Sequence, residues 1–130
     1  MFVCRKNGTG RIKMRPIIRK DDVTIQSFEK CHDGEGTLYC RSMLENTEKA
    51  LLGMFHVDDM PSGVSIGEHQ HEVNEELYFL VSGEGVLTFD GADYEMTAGD
   101  ISLCGIGHSH GFLAKTDCRL IVVGSTKLPR

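Results

Sequence analysis

Four of the six histidines occur as two His-x-His pairs, His69-Gln70-His71 and His108-Ser109-His110. In a β-strand, side chains two residues apart point to the same side, so each pair can direct two imidazoles at one point. Three carboxylates follow the first pair closely: Glu72, Glu75 and Glu76. Imidazole and carboxylate together bind manganese, iron, nickel, copper or zinc, and the residue types alone do not select among these ions. The sequence therefore predicts a metal site.

The pattern around these pairs predicts strands. From Ile17 onward, short apolar runs are broken by turn signals about every 8–12 residues, which is typical of a β-sandwich or barrel. The predicted strands span residues 37–41, 51–57, 76–81, 85–89, 93–96, 100–104 and 118–123. Asp90-Gly91 predicts a two-residue hairpin turn, because glycine accepts a positive φ. Residues 58–63 are predicted to form a turn, and only residues 21–30 and 42–50 could hold helical turns.

Composition limits the protein to an ordinary globular class. The chain has 130 residues, 40% of them hydrophobic and 25% charged, which indicates one folded domain rather than a disordered chain. No apolar run approaches the roughly 18 residues of a membrane helix. The five cysteines include no Cys-x-x-Cys pair, and the N-terminus lacks the apolar run of a secretory signal. We therefore expect a reducing compartment, the cytoplasm.

The net charge of −5 is unevenly distributed. Residues 1–20 carry seven basic and no acidic side chains, whereas residues 21–130 carry seven basic and 19 acidic ones. We predict a basic N-terminal arm over 1–20 and a single β-barrel domain over 21–130. Nucleic-acid binding is not expected, because the arm has no aromatic residue besides Phe2 and the body would repel phosphates. An alternative interpretation of the basic segment 1–20 is that the natural chain begins at Met14.

The spacing of the first His-x-His pair resembles the first motif of the cupin superfamily at every defining position: Gly63, His69, His71, Glu76 and Gly83. The second motif is matched more loosely, by Gly99, Gly105, Gly107 and His110. Gly105 stands where cupins usually have proline, and Ala114 stands where they usually have asparagine. The resemblance covers about residues 37–123.

This resemblance implies an all-β fold, an antiparallel double-stranded β-helix of the cupin or jelly-roll type with an extended N-terminal segment. It implies one divalent transition metal (manganese, iron, nickel or zinc) held by four ligands, His69, His71, Glu76 and His110. Glu75 competes with Glu76, and the six residues between Glu76 and Gly83 favour Glu76. His108 falls in the glycine-rich turn, where it is a candidate for acid–base chemistry. Tyr78, which alternation places on the same face as Glu76, is the second such candidate.

Two functions compete at this stage. The first is a metal-dependent enzyme acting on a small, oxygen-rich molecule, as a dioxygenase, an oxalate-type decarboxylase or oxidase, or a sugar isomerase. It would then be an oxidoreductase, lyase or isomerase. The second is a non-enzymatic module that binds or senses a small ligand. A homodimer is expected, with Phe79 and Val81 as candidate surface residues. The remaining histidines, His32 and His56, are expected to be structural.

Overall fold

The structure is a computed structural model that describes residues 5–6, 12–13, 16–45 and 50–128. Twelve strands form in these residues: β1 (Arg5–Lys6), β2 (Ile12–Lys13), β3 (Gln26–Glu29), β4 (Thr37–Leu44), β5 (Leu52–Met60), β6 (Ser65–Gln70), β7 (Glu76–Ser82), β8 (Glu84–Phe89), β9 (Ala92–Thr97), β10 (Ile101–Cys104), β11 (Ser109–Ala114) and β12 (Cys118–Ser125). Two short 3-10 helices span Lys20–Asp22 and Cys31–Asp33. Among the described residues, no helix is long and apolar enough to cross a membrane.

Ten of the strands build two antiparallel sheets. The larger sheet has the order β10-β7-β12-β5-β4-β3, and the smaller has the order β6-β11-β8-β9. Strands β1 and β2 pair only with each other. The two sheets share one apolar core, with Leu80 and Leu120 from the larger sheet and Ile66 and Phe112 from the smaller. The all-β cupin fold predicted from the sequence is thus confirmed, although the two sheets are not closed into one continuous barrel.

Alternation along the strands of the larger sheet decides which side chains face the core. Every second residue of β7 from Glu76 to Leu80 is buried, and β12 alternates in the same way from Cys118 to Gly124. Across the sheet, Val122 pairs with both Tyr78 and His56, and Leu120 pairs with Asp58. Glu76, His56 and Asp58 are therefore polar residues on the inner face, beside apolar ones such as Leu80, Leu120 and Val122.

Of the turns and helical segments predicted from the sequence, some are confirmed and others are wrong. The Asp90-Gly91 hairpin turn is confirmed, since both residues have a positive φ and lie between β8 and β9. The turn predicted over 58–63 is wrong in its first half, because β5 continues through Met60 with its alternation intact. Of the segment 21–30, which could hold helical turns, residues 21 and 22 lie in the first 3-10 helix and residues 26–29 form β3. Residues 42–44 of the second such segment end strand β4 instead. Residues 46–49 and Met14 lie outside the described residues.

Candidate metal centre and its cavity

Four side chains from distant parts of the chain meet between the two sheets. His69 lies near the end of β6, His71 follows that strand directly, Glu76 opens β7, and His110 lies in β11. One ligand atom from each comes within 4.8 Å of those from all the others. His110 is fully buried and Glu76 is nearly so. The structure thus brings together the four residues that the cupin motifs imply as ligands.

The distances among the four groups suit a single metal ion. Glu76 Oε1 lies 3.0 Å from His110 Nε2, 3.5 Å from His71 Nε2 and 4.0 Å from His69 Nε2. The Nε2 atoms of His71 and His110 are 3.0 Å apart. An ion with bonds of about 2.1 Å separates neighbouring ligand atoms by about 3.0–3.4 Å. Three nitrogen donors and one oxygen donor at these separations fit a divalent transition metal.

Two of the imidazoles are oriented by hydrogen bonds on their outer side. His69 Nδ1–H donates to the Gly67 carbonyl at 2.8 Å, and His71 Nδ1–H donates to Asn74 Oδ1 at 3.1 Å. The Asn74 amide in turn donates to the Ser125 carbonyl at 3.3 Å. These contacts direct both Nε2 atoms toward the centre, which is how ligand histidines are usually held.

The third imidazole is held by packing. The His110 ring stacks on Tyr78 with 4.0 Å between ring centroids and 9° between planes. His110 Nδ1 is buried and has no hydrogen-bond partner among the described residues. Strand β11 carries this histidine, and Asp90 anchors the start of that strand by accepting the Ser109 N–H at 2.8 Å.

The electrostatics of the centre favour a charged carboxylate beside imidazoles. Burial alone would raise the pKa of Glu76, but hydrogen bonds from His110 and His71 outweigh it and lower that pKa to about 2. Burial lowers the pKa of His69 to about 4, against the opposing effect of its Gly67 hydrogen bond. The hydrogen bond to Glu76 raises the pKa of His71. At neutral pH, Glu76 is therefore ionised and His69 is neutral, the forms that bind metals.

His108, the other candidate for acid–base chemistry, occupies a different environment. Its side chain is half-exposed, its Nδ1 lies 2.6 Å from Asp90 Oδ2, and its ring stacks on Phe89. It is not among the residues that line the cavity beside the four-residue centre. Its contact with Asp90 supports the start of β11, and its role in proton transfer stays a prediction.

A cavity of about 390 Å³ adjoins the centre. His69, Glu76 and Tyr78 form its wall on the side of the centre. Much of the remaining wall is apolar and comes from both sheets: Phe28, Leu38, Met54, Ile66 and Val122. A volume of this size is typical of small-molecule sites, which are mostly apolar with a few polar groups that orient the ligand.

Comparison with known proteins agrees with this geometry. Residues 55–124 match the cupin domain family. The chain belongs to the cupin family. It is 30% identical over 123 residues to the oxalate-binding protein of Thermotoga maritima. The matched region covers 91% of this chain and 96% of that protein.

Solved structures show the same cupin fold. The crystal structure of a predicted oxalate decarboxylase from Thermotoga maritima superimposes with a TM-score of 0.77 at 27% identity, covering 85% of this chain and 98% of that one. KdgF from Halomonas sp. superimposes with a TM-score of 0.71 at 18% identity, covering 88% and 96% of the two chains. The second likeness concerns the fold alone.

His32 packs against the candidate metal centre, a contact that could not be predicted from the sequence. Its ring stacks on His69 with 3.6 Å between centroids and 13° between planes. Lys30, His32 and Asp33 all have a positive φ, which is uncommon for residues other than glycine. The loop packs directly on β6 because Gly67 has no side chain: a Cβ there would overlap the His32 carbonyl oxygen. A lone histidine outside the cupin motifs offers no signal of such a contact.

A second polar group of the cavity wall is formed by Cys40, His56 and Asp58, which lie on β4 and β5 of the sheet that also carries Glu76. Cys40 and Asp58 are direct partners across β4 and β5, and the Cys40 thiol, the Asp58 carboxylate and a His56 ring nitrogen lie within 4.8 Å of one another. Burial raises the pKa of Asp58, while the neighbouring Cys40 and His56 oppose that shift. Cys40 is buried. Asp58 was missed because the acidic pair Asp58-Asp59 before Pro61 is typical of turns. His56 was expected to be structural because it lies outside the His-x-His pairs.

Proposed function

We propose that this cupin holds one divalent transition metal through His69, His71, Glu76 and His110 and acts on a small carboxylate that binds there. The observation that carries the proposal is the convergence of four ligand atoms within 4.8 Å beside a cavity of about 390 Å³. Four protein ligands leave about two positions of an octahedral ion for other oxygen atoms. Manganese, iron, nickel and zinc all fit this donor set.

A metal ion at this centre would act as a Lewis acid toward a carboxylate oxygen. The protein's own side chains supply the surroundings. Tyr78 is buried in the cavity wall, and burial raises its pKa well above the ordinary value, so its phenol keeps its proton and can donate a hydrogen bond. Leu38, Ile66 and Val122 keep the adjoining wall apolar and limit the access of water. We retain Tyr78 and His108 as the candidates for proton transfer.

The relatives support a carboxylate as the ligand class. One is named for binding oxalate, and another is described as a predicted oxalate decarboxylase. We therefore place decarboxylation or oxidation of a small carboxylate, including dioxygenase chemistry, ahead of sugar isomerisation. The Thermotoga maritima protein is named for binding rather than catalysis, so a non-enzymatic ligand-binding module is the second candidate function.

Turnover assays separate the two functions. Protein loaded in turn with manganese, iron, nickel and zinc is incubated with oxalate, other diacids and diketones, while oxygen uptake and carbon dioxide release are recorded. An enzyme gives turnover that depends on one metal and is lost in His110→Ala. Tight binding of a carboxylate with no product from any substrate supports the binding module instead and contradicts the catalytic proposal.

We further propose a cytoplasmic homodimer. Cys31, Cys40, Cys104 and Cys118 are all free thiols, which fits a reducing compartment. The outer face of β7 and β10 is apolar and partly exposed, including Leu77, Phe79, Val81, Ile101 and Leu103. A second copy of the chain would cover such a face. Light scattering of the eluting protein should give twice the chain mass, and the chain mass alone would contradict the dimer.

A further inference from the structure

Two buried polar atoms in the cavity wall have no hydrogen-bond partner among the described residues: Asp58 Oδ1 and the Tyr78 hydroxyl. Asp58 is 4% exposed and Tyr78 is 1% exposed. Buried polar groups are nearly always paired, so each unpaired one requires an explanation. Both atoms belong to side chains that face the same cavity, which points to a group that enters the cavity and pairs with them.

The two residues line the same cavity at different distances from the metal centre. Tyr78 stacks on His110 and so borders the centre, whereas Asp58 lies on β5, separated from β7 by strand β12. Two strand spacings correspond to roughly 10 Å between β5 and β7. The polar wall around Asp58 thus lies within reach of the far end of a ligand whose near end is at the centre.

We propose that Asp58 and Tyr78 form a subsite for a hydroxyl group on the distal end of the carboxylate ligand. This inference rests on the proposed function, because it takes the near end of the ligand to be a carboxylate at the metal centre. The Tyr78 phenol donates a hydrogen bond, and the Asp58 carboxylate accepts one. A hydroxyl group is the small group that can do both in return. A second carboxylate would place like charges together at Asp58.

The subsite distinguishes hydroxy acids from simple diacids. Ionised oxalate has only acceptor oxygens and would leave Asp58 unpaired. The cavity, at about 390 Å³, also has room for a longer molecule. The ligand class assigned by the subsite is a small 2-oxo or 2-hydroxy acid that carries a hydroxyl group at its other end.

Calorimetry with matched ligands tests the subsite in the metal-loaded protein. The pairs are 2-oxobutanoate against 4-hydroxy-2-oxobutanoate, and 2-oxopentanoate against 5-hydroxy-2-oxopentanoate. Since hydrogen bonds to charged groups are stronger than neutral ones, at least one hydroxylated ligand should bind about 10- to 100-fold more tightly than its partner. In Asp58→Ala this preference should fall below about threefold. If the alanine variant does not fold, Asp58→Val replaces it in the same titrations, because valine suits a strand and is close to aspartate in size.

Asp59→Ala is the matched control, because Asp59 is the next residue of β5, faces outward and pairs with Arg119 at 2.8 Å. It should keep the full preference. Equal affinity within both pairs in the wild-type protein would overturn the subsite and indicate that water satisfies these atoms. A second equivalent of bound metal that disappears in Asp58→Val would also overturn it, in favour of a cation site.

Metal content is measured first, because it distinguishes failure of the proposed function from failure of the subsite. Wild-type protein with no bound metal contradicts the proposed function itself. One metal per chain, in wild type and Asp58 variants alike, combined with equal ligand affinities contradicts the subsite alone.

Discussion

Replacing Asp58 by asparagine should stabilise the metal-free protein at neutral pH. The carboxylate is 4% exposed, one of its oxygens has no partner among the described residues, and burial raises its pKa. Leaving a buried polar group unpaired costs about 1–3 kcal/mol, and more for a charged group. Asparagine keeps the size and removes the charge. We therefore expect the free energy of unfolding to rise by about 1–3 kcal/mol at pH 7.5.

The pH dependence of this gain follows from the direction of the pKa shift. Because the pKa of Asp58 is raised in the folded state, the folded protein holds that proton to a higher pH than the unfolded chain does. The favourable contribution of Asp58 is complete below the unfolded pKa and is lost as pH rises through the folded pKa. The advantage of Asp58→Asn should thus be small near pH 4 and reach its full size above the folded pKa.

Urea denaturation in the presence of a chelator, at several pH values from 4 to 8, measures this difference. Asp59→Asn is the control: its carboxylate is half-exposed and pairs with Arg119, so its loss should cost between 0 and about 1 kcal/mol. Adjacent aspartates should thus change stability in opposite directions. A destabilised Asp58→Asn, or a gain that is equal at every pH, would refute the reasoning.

Three further outcomes are expected. His110→Ala should weaken metal binding about 100- to 1,000-fold in a competition titration, because a four-ligand site yields roughly 2.5–4 kcal/mol per ligand. The metal affinity of His108→Ala should stay within about threefold of the wild-type value in the same titration. Asn74→Ala, which frees the His71 ring, should weaken binding about 10- to 100-fold without changing the stoichiometry; unchanged affinity would contradict its orienting role. Gly67→Ala should displace the loop carrying His32 and destabilise the fold by about 1–3 kcal/mol. The displacement should appear as faster amide exchange in residues 31–33, and unchanged exchange would contradict the packing of this loop on Gly67.

The centre of the fold could be predicted because its signals are local and periodic. The spacing of His69, His71 and Glu76 follows the cupin pattern, and the structure brings these three residues together. Asp90-Gly91 has a turn chemistry that allows few other conformations. Each of these features is determined within about ten residues of chain. The expectation that the second His-x-His pair also directs both imidazoles at one point is wrong, because His110 joins the centre whereas His108 contacts Asp90.

The cavity could not be predicted in the same way. His56 and Asp58 lie two residues apart and so share one face of β5. Because both are polar, alternation of polar and apolar residues does not reveal that this face points into the protein. Cys40 meets Asp58 only because β4 pairs with β5 in one particular register. His32 reaches His69 through a loop with three positive-φ residues that the sequence does not signal. These contacts depend on pairing between distant segments.

Metal content tests the central claim most directly. Purified protein is stripped, reloaded separately with manganese, iron, nickel and zinc, passed through a desalting column and analysed by mass spectrometry for bound metal. Four ligands around one point predict close to one equivalent of at least one of these metals per chain, and its loss in His110→Ala. Less than about a tenth of an equivalent with every metal would contradict the assignment of His69, His71, Glu76 and His110 as a metal centre.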